Sequence, residues 1–255
     1  MTRINWMDLD GVANMRDLGG LPTTDGSVIR HGRLVRSDNL QDLTPEAVEH
    51  LVTDLRLSDV VDLRSSHEVD AEGPGPLRSE PRVAHHHLSL LRERPGADAG
   101  ADALLTRRGQ EKFDENHWTS HYLGYLRARP ESVVGALRVL ARADGATIVH
   151  CAAGKDRTGT VVGLALSVAG VAPADIVADY AASAERIEAI IARLSARPTY
   201  AAVLRSGAAH QTPRAESMAR FLDALDRTHG GALGWLDEQG WSDQETADLC
   251  GALRR

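Results

Sequence analysis

Residues 146–170 read ATIVHCAAGKDRTGTVVGLALSVAG. The first five are a β-branched run entered from Gly145, a pattern that predicts a buried strand. From Thr158 onward the apolar spacing suits a helix, and Gly170 supplies its stop. Between the two lies HCAAGKDRTG, residues 150–159, which leaves the carboxyl end of a strand and enters the amino end of a helix. Open α/β sheets bind ligands at such points. The stretch therefore predicts a fold class and a candidate site together.

Working outward, DVVDL at 59–63 reads as a second buried strand and 83–90 as a third. Thr44 as N-cap with Pro45 at the first helical position opens a helix over 45–55, and Pro130 opens another over 130–143. Strands alternating with helices predict an α/β architecture, a central sheet flanked by helices. Beyond Pro173, Ile176, Val177, Tyr180, Ala184, Ile187, Ile191 and Leu194 fall at helical spacing on one face. A second amphipathic helix follows Pro213 with Met218, Phe221, Leu222 and Leu225. Ser242 and Glu245 form a capping box for a last helix ending near Leu253. Residues 92–116, RERPGADAGADALLTRRGQEKFDEN, lack periodicity and read as an irregular, solvated insert.

The chain has 255 residues, enough for one sizeable core, so 1–255 is expected to be a single domain. With 42% hydrophobic and 25% charged residues it has the composition of an ordinary globular protein. A net charge of -7 argues against a nucleic-acid partner, whose phosphates need a basic surface. The longest apolar run is broken by Gly163, Ser167 and Gly170, well short of the roughly 20 residues of a membrane span. The first residues, MTRINWMDLDG, lack a secretory pattern, so the expected compartment is the cytoplasm, with signal-less secretion left open. Two cysteines, Cys151 and Cys250, suggest neither a disulfide framework nor a zinc site. Cys151 then needs its own explanation.

That explanation comes from its neighbours. A phosphate dianion needs several donors converging on its oxygens, which a short loop ahead of a helix N-terminus supplies through backbone N–H groups. Gly154 permits close approach of the backbone. Arg157, six positions after Cys151, can close the loop with a planar fork of charge-assisted hydrogen bonds. The same positive surroundings favour the thiolate, the form in which a cysteine attacks. Thr158 is expected to add a hydroxyl bond to the sulfur, and His150 to orient the loop beside it. A buried, inert cysteine is the bland alternative, and it leaves Gly154, Arg157 and Thr158 unexplained. The loop is not a Walker nucleotide loop, because Asp156 follows the Gly-Lys pair where Ser or Thr belongs.

On these residues the chain resembles the protein tyrosine phosphatase superfamily with its Cys-x5-Arg loop. More narrowly, it is similar to the atypical bacterial branch of mycobacterial protein tyrosine phosphatase B and the Listeria lipid phosphatase. Lys155 and Asp156 ahead of Arg157 match that branch. So do NMRDLGG at 14–20, the pair Arg36 and Ser37, and the Asp-Leu-Arg run at 62–64. The resemblance implies a tyrosine-phosphatase-like sheet and a helical lid over 173–226. It implies a phosphatase with no cofactor and no metal, whose partners are phosphorylated proteins or phosphoinositides. Nothing in the chain specifies an oligomeric state.

Cys151 is then expected to be the nucleophile, with Arg157 and the segment His150, Ala152, Ala153, Gly154, Lys155 and Thr158 holding the phosphate. The Asp that ordinary tyrosine phosphatases carry some thirty to forty residues upstream is missing. The branch implies Asp156 as general acid, and Asp114 and Glu115 are the rivals. The chain holds 27 Arg and only two Lys, so Lys155 suggests a compact ammonium for a second anionic group. Asn14, Arg16, Asp17, Asp62 and Arg64 are candidates for substrate contact or loop support. His85, His86 and His87 invite a metal reading, but alternate strand residues face opposite ways and at most two converge. Two other classes stay in view: a phospholigand-binding module without turnover, and rhodanese-type sulfur transfer.

Overall fold

The computed structural model describes residues 4–92, 115–204 and 211–255. Six strands form one sheet in the order β1-β2-β3-β6-β4-β5. They are β1 Asn5–Trp6, β2 Arg16–Asp17, β3 Leu34–Ser37, β4 Leu57–Asp62, β5 Ala84–His87 and β6 Ala146–His150. β3, β6, β4 and β5 run parallel, and β1 and β2 add an antiparallel edge. The α/β expectation thus holds, with three strands at the N-terminal side that the sequence did not announce. β1 and β2 are two residues each, too short to show a period.

Register is what this sheet contributes to the site. Ser37 and Asp62 both pair with His150, so three parallel strands end level and present their carboxyl ends at one edge. Every residue of β6 is buried, as expected of a strand covered on both faces.

The helix after the loop, α5 Asp156–Val168, is buried from Arg157 to Leu166 on every side. A helix apolar all round has to be central, and four other helices cover it. They are α3 Glu115–Ala128, α4 Pro130–Arg142, α6 Pro173–Ala182 and α9 Ala215–His229, completed by α10 Gly231–Glu238 and α11 Asp243–Leu253. Val161, Leu164 and Leu166 are fully buried, each contributing about 1.5–3 kcal/mol of apolar burial. Ser242 and Glu245 make the expected capping box on α11. On the other sheet face α1 Pro45–Glu49 packs Ala47 and Val48 against Val35, Val60 and Ile148.

The helix expected over 45–55 begins as predicted, with Thr44 Oγ1 accepting from Ala47 N–H, but widens to a π-turn over His50–Asp54. Arg56, at φ 58°, then turns the chain into β4. α2 Ser66–Glu72 and α3 were not anticipated. The continuous face drawn from Ile176 to Leu194 is broken by a 3-10 turn, Ser183–Arg186. Three residues per turn rotate the apolar stripe, so α7 Ile187–Ser195 buries Ile190 rather than Ile191. α8 Pro198–Leu204 follows it. Most of the predicted insert, 93–114, lies outside the described residues.

Candidate active site

Cys151 stands between β6 and α5 and is almost fully buried. The segment after it is held from behind. Asn14 Nδ2 donates to the carbonyls of Ala153 and Gly154 at 3.0 and 3.2 Å. Arg36 Nη2 donates to the carbonyls of Gly154 at 2.8 Å and Lys155 at 3.4 Å. In a trans peptide the N–H opposes the C=O, so the amides of Gly154, Lys155 and Asp156 point away from Asn14 and Arg36. Successive amides on one side form an anion-binding concavity. Gly154 sits at φ 67°, and a Cβ there would lie 2.5 Å from the Ser37 carbonyl and 2.6 Å from Asp38 N. Only glycine fits.

The bracing arginines are braced in turn. Asp179 on α6 accepts from Arg16 Nε at 2.7 Å and Arg36 Nη1 at 2.5 Å, all three side chains buried. Arg16 also donates to Asn14 Oδ1 at 2.6 Å and to Ser183 Oγ at 3.1 Å. Burial and the neighbouring Arg36 charge lower the Arg16 guanidinium to about 10, against the pull of Asp179. Burial resists ionising Asp179, and the two arginines overcome it. Arg16 thus reaches the loop through Asn14, and through Asp179 and Arg36.

Arg157 is fixed by a residue the sequence reading passed over. Its Nη1 and Nη2 donate to Glu68 Oε2 and Oε1 at 2.6 and 3.0 Å. Glu68 closes a capping box with Ser65 at the start of α2, so helix and arginine share one carboxylate. Burial disfavours the Arg157 charge, and Glu68 and then Cys151 more than offset it. The signal was present as S-x-x-E at 65–68, directly after the Asp-Leu-Arg run.

His150 is buried, its Nδ1 3.3 Å from the Cys151 carbonyl and its Nε2 3.7 Å from Asp62 Oδ2. Burial lowers the imidazole to about 4, despite Asp62. Burial would raise the Asp62 carboxyl, but His150 and the Arg64 fork hold it below the usual carboxylate range. Arg64 reaches Asp62 through Nε at 2.9 Å and Nη2 at 2.6 Å. Asp17 lies apart from the loop, accepting from Gly19 N and Gly32 N at 3.0 Å each. It braces a turn at the opposite end of the sheet.

Asp156 Oδ1 accepts from the Tyr122 hydroxyl at 2.8 Å, and Tyr122 meets the Tyr180 hydroxyl at 2.6 Å. This links α3 and α6 to the first residue of α5. Of the rival acids, Asp114 lies outside the described residues, and Glu115 begins α3 with its side chain outside them. One expectation needs correction. The Thr158 hydroxyl, expected on sulfur, is buried without a hydrogen-bond partner, its place in the first turn of α5 fixing where it points. The Lys155 ammonium is buried and donates to the Gln211 carbonyl. His85, His86 and His87 each take a different partner: the Leu77 carbonyl, Asp59 and the Arg64 carbonyl.

α7 and α8 lie over the loop, with Ile190, Leu194 and Tyr200 packed on Ala152. Arg193 donates to Asp38 and, at 2.7 Å, to Asn39 Oδ1, and Arg197 donates to Asp42 and, at 2.7 Å, to Glu72.

A family model described as "Tyrosine phosphatase family" matches residues 7–255. The chain is 30% identical over 278 residues to the triple specificity protein phosphatase PtpB of Mycobacterium tuberculosis, covering 96% of this chain and 98% of that one. It is 31% identical over 233 residues to a putative tyrosine-protein phosphatase of Cupriavidus necator, covering 89% and 80%. A tyrosine-protein phosphatase of Nostoc commune is 29% identical over 234 residues, covering 89% and 76%. No helix among the described residues is long and apolar enough to cross a membrane.

Proposed function

The chain belongs to the tyrosine phosphatase family and is a protein-tyrosine phosphatase, and on that premise we propose that it works through a phosphocysteine on Cys151. The Cys151 sulfur attacks phosphorus, the S–P bond forming as the P–O bond to the leaving group breaks. Asp156 gives its proton to the leaving oxygen. Water then attacks phosphorus, Asp156 takes back a proton, and the S–P bond breaks to release inorganic phosphate. Arg157 and the loop amides stabilise the equatorial oxygens throughout.

The observation that carries this reading is the bracing of the loop: carbonyls of Ala153, Gly154 and Lys155 tied down on one side, leaving amides for an anion on the other. Such preorganised donors cost nothing to align when charge develops. α7 and α8 serve in this reading as a lid over the loop, shielding the sulfur from oxidants and admitting substrate when it opens. We extend the substrate class to phosphoserine, phosphothreonine and phosphoinositides. A relative named a triple specificity phosphatase, aligned over nearly the whole chain, supports that extension.

The test is inorganic phosphate release by wild type and Cys151→Ser across phosphotyrosine, phosphoserine and phosphothreonine peptides and phosphoinositides. Release by wild type that vanishes in the variant is the expected result. Phosphate release surviving in Cys151→Ser would remove the phosphocysteine, and a folded wild type inert on every substrate would leave a phospholigand-binding module.

A further inference from the structure

Tyr180 on α6 is buried, and its ring lies against the first turn of α5. The contact falls at Gly159, where a Cβ would stand 2.9 Å from Tyr180 Cδ2 and 3.2 Å from Cε2. Carbon atoms pack at about 3.5–4.0 Å, so any side chain there would push the ring away. Gly159 follows Asp156 by three positions, and residues three apart share a face of a helix. The bare backbone at Gly159 therefore lets the ring sit on the face that carries Asp156. From there the Tyr180 hydroxyl meets that of Tyr122 at 2.6 Å, and Tyr122 reaches Asp156 Oδ1 at 2.8 Å. The third ring of the group, Phe221 on α9, stands edge to face with Tyr122 at 5.8 Å and brings no charge. Lys155 and Arg157 flank Asp156 in the chain.

The direction of these bonds follows from the hydrogens available. An ionised Asp156 only accepts, so Tyr122 spends its one hydrogen on it and Tyr180 donates to the Tyr122 oxygen. A donor that also accepts is polarised into a better donor. Burial, and then Asp156, hold the Tyr122 hydroxyl well above the usual phenol range, so it keeps its proton. The pair thus favours the carboxylate, the form Asp156 takes once its proton has gone. Tyr180 is fixed in place by its neighbour, since Asp179 is held by Arg16 and Arg36.

We propose that Tyr180, seated on Gly159, is a positioning residue for the acid step, acting through the Tyr122 hydroxyl to hold Asp156 and to stabilise the carboxylate it leaves. The proposal rests on the reading of Asp156 as the acid. The Asp156 proton passes to the leaving oxygen, the electron pair of its O–H bond stays on the carboxylate, and both phenols keep their protons. One turn of α6 then serves both halves of the site, Asp179 bracing the loop and Tyr180 the acid.

The test is the pH dependence of kcat/KM on phenyl phosphate for wild type, Tyr180→Phe, Tyr122→Phe and the double variant. Asp156 acts while protonated, so its loss of the proton sets the basic limb. A less stabilised carboxylate keeps the proton to higher pH, and the limb in Tyr180→Phe is expected to move up by on the order of half a unit. Tyr122→Phe, which removes both bonds, should move it further, and the double variant no further than Tyr122→Phe. Gly159→Ala should slow phenyl phosphate while sparing 2,4-dinitrophenyl phosphate. Gly163→Ala, whose Cβ would meet Met218 Sδ at an ordinary 3.5 Å, should match wild type on both. A limb that stays in place in Tyr180→Phe, with equal losses on the two esters, makes Tyr180 a packing residue and overturns the proposal. Equal losses on the two esters in a folded Gly159→Ala overturn the seat. Asp156→Asn that cleaves phenyl phosphate like wild type overturns the acid reading, and the proposal with it.

Discussion

Arg157 spends both terminal nitrogens on the two oxygens of Glu68, at 2.6 and 3.0 Å, so the guanidinium plane is set before any substrate arrives. Glu68→Gln keeps one acceptor and loses the charge. We expect kcat/KM for a phosphotyrosine peptide to fall by about 10- to 100-fold, since misplacing an electrostatic stabiliser costs catalysis on that scale. Steady-state kinetics beside circular dichroism would check it. Undiminished turnover in a folded variant would show that Arg157 needs no such partner.

Tyr122 donates to Asp156 Oδ1 at 2.8 Å and holds the carboxyl at the first residue of α5. If Asp156 is the acid, Tyr122→Phe slows cleavage of phenyl phosphate about tenfold and of 2,4-dinitrophenyl phosphate hardly at all, because a good leaving group needs no proton. Adding Tyr122→Phe to Asp156→Asn should then cost nothing further. Equal losses on both esters would assign Tyr122 to packing instead.

Arg193 and Arg197 tie α7 and α8 to Asp38, Asp42 and Glu72. Arg193→Ala leaves the buried Asp38 carboxylate without its cation, and the lid is expected to open more often. Peroxide inactivation should quicken several-fold, and raised salt should quicken the wild type too. Identical inactivation rates in variant and wild type would dissociate this latch from protection of the sulfur.

His150 is held neutral, lowered by burial to about 4 from an ordinary value of 6.5. A folded pKa below the unfolded one means that the folded chain binds fewer protons. Stability is then full above pH 6.5 and drains as pH falls toward 4. At pH 5 the loss from this group alone is about 2 kcal/mol. Asp62, Glu68 and Asp179 are also lowered, but from carboxylate values, so their contributions drain only in more acid solution. Urea unfolding at pH 7 and 5 should show the loss in wild type and a smaller one in His150→Gln. Equal losses would mean that His150 is not the group that titrates.

Much of this arrangement could be read from the chain because it is local. The run from Ala146 to Gly170 specifies strand, loop and helix within 25 residues, and the caps at Thr44 and Ser242 were where expected. What escaped the reading is contact across long separations. Glu68 and Arg157 are 89 positions apart, and Asp179 and Arg16 are 163. No short-range pattern marks such pairs. Arg36 looked like one half of a motif, but its use, holding the Gly154 carbonyl while leaning on α6, depends on which strands lie side by side. Lys155 shows the same limit: its rarity in an arginine-rich chain marks it as special, but its bond to the Gln211 carbonyl, 56 positions away, has no local sign.

The carboxylate of Asp179 has one further consequence. Arg16 holds both Asp179 and Ser183, so α6 and the first residue of the 3-10 turn are pinned to the back of the loop. Any swing of α7 and α8 has its fulcrum after Ser183. On the proposed lid reading, the residues up to Ser183 keep their places at the loop while α7 and α8 move. If α7 and α8 are that lid, exchanging them should change which esters reach Cys151 while the braced loop keeps its shape.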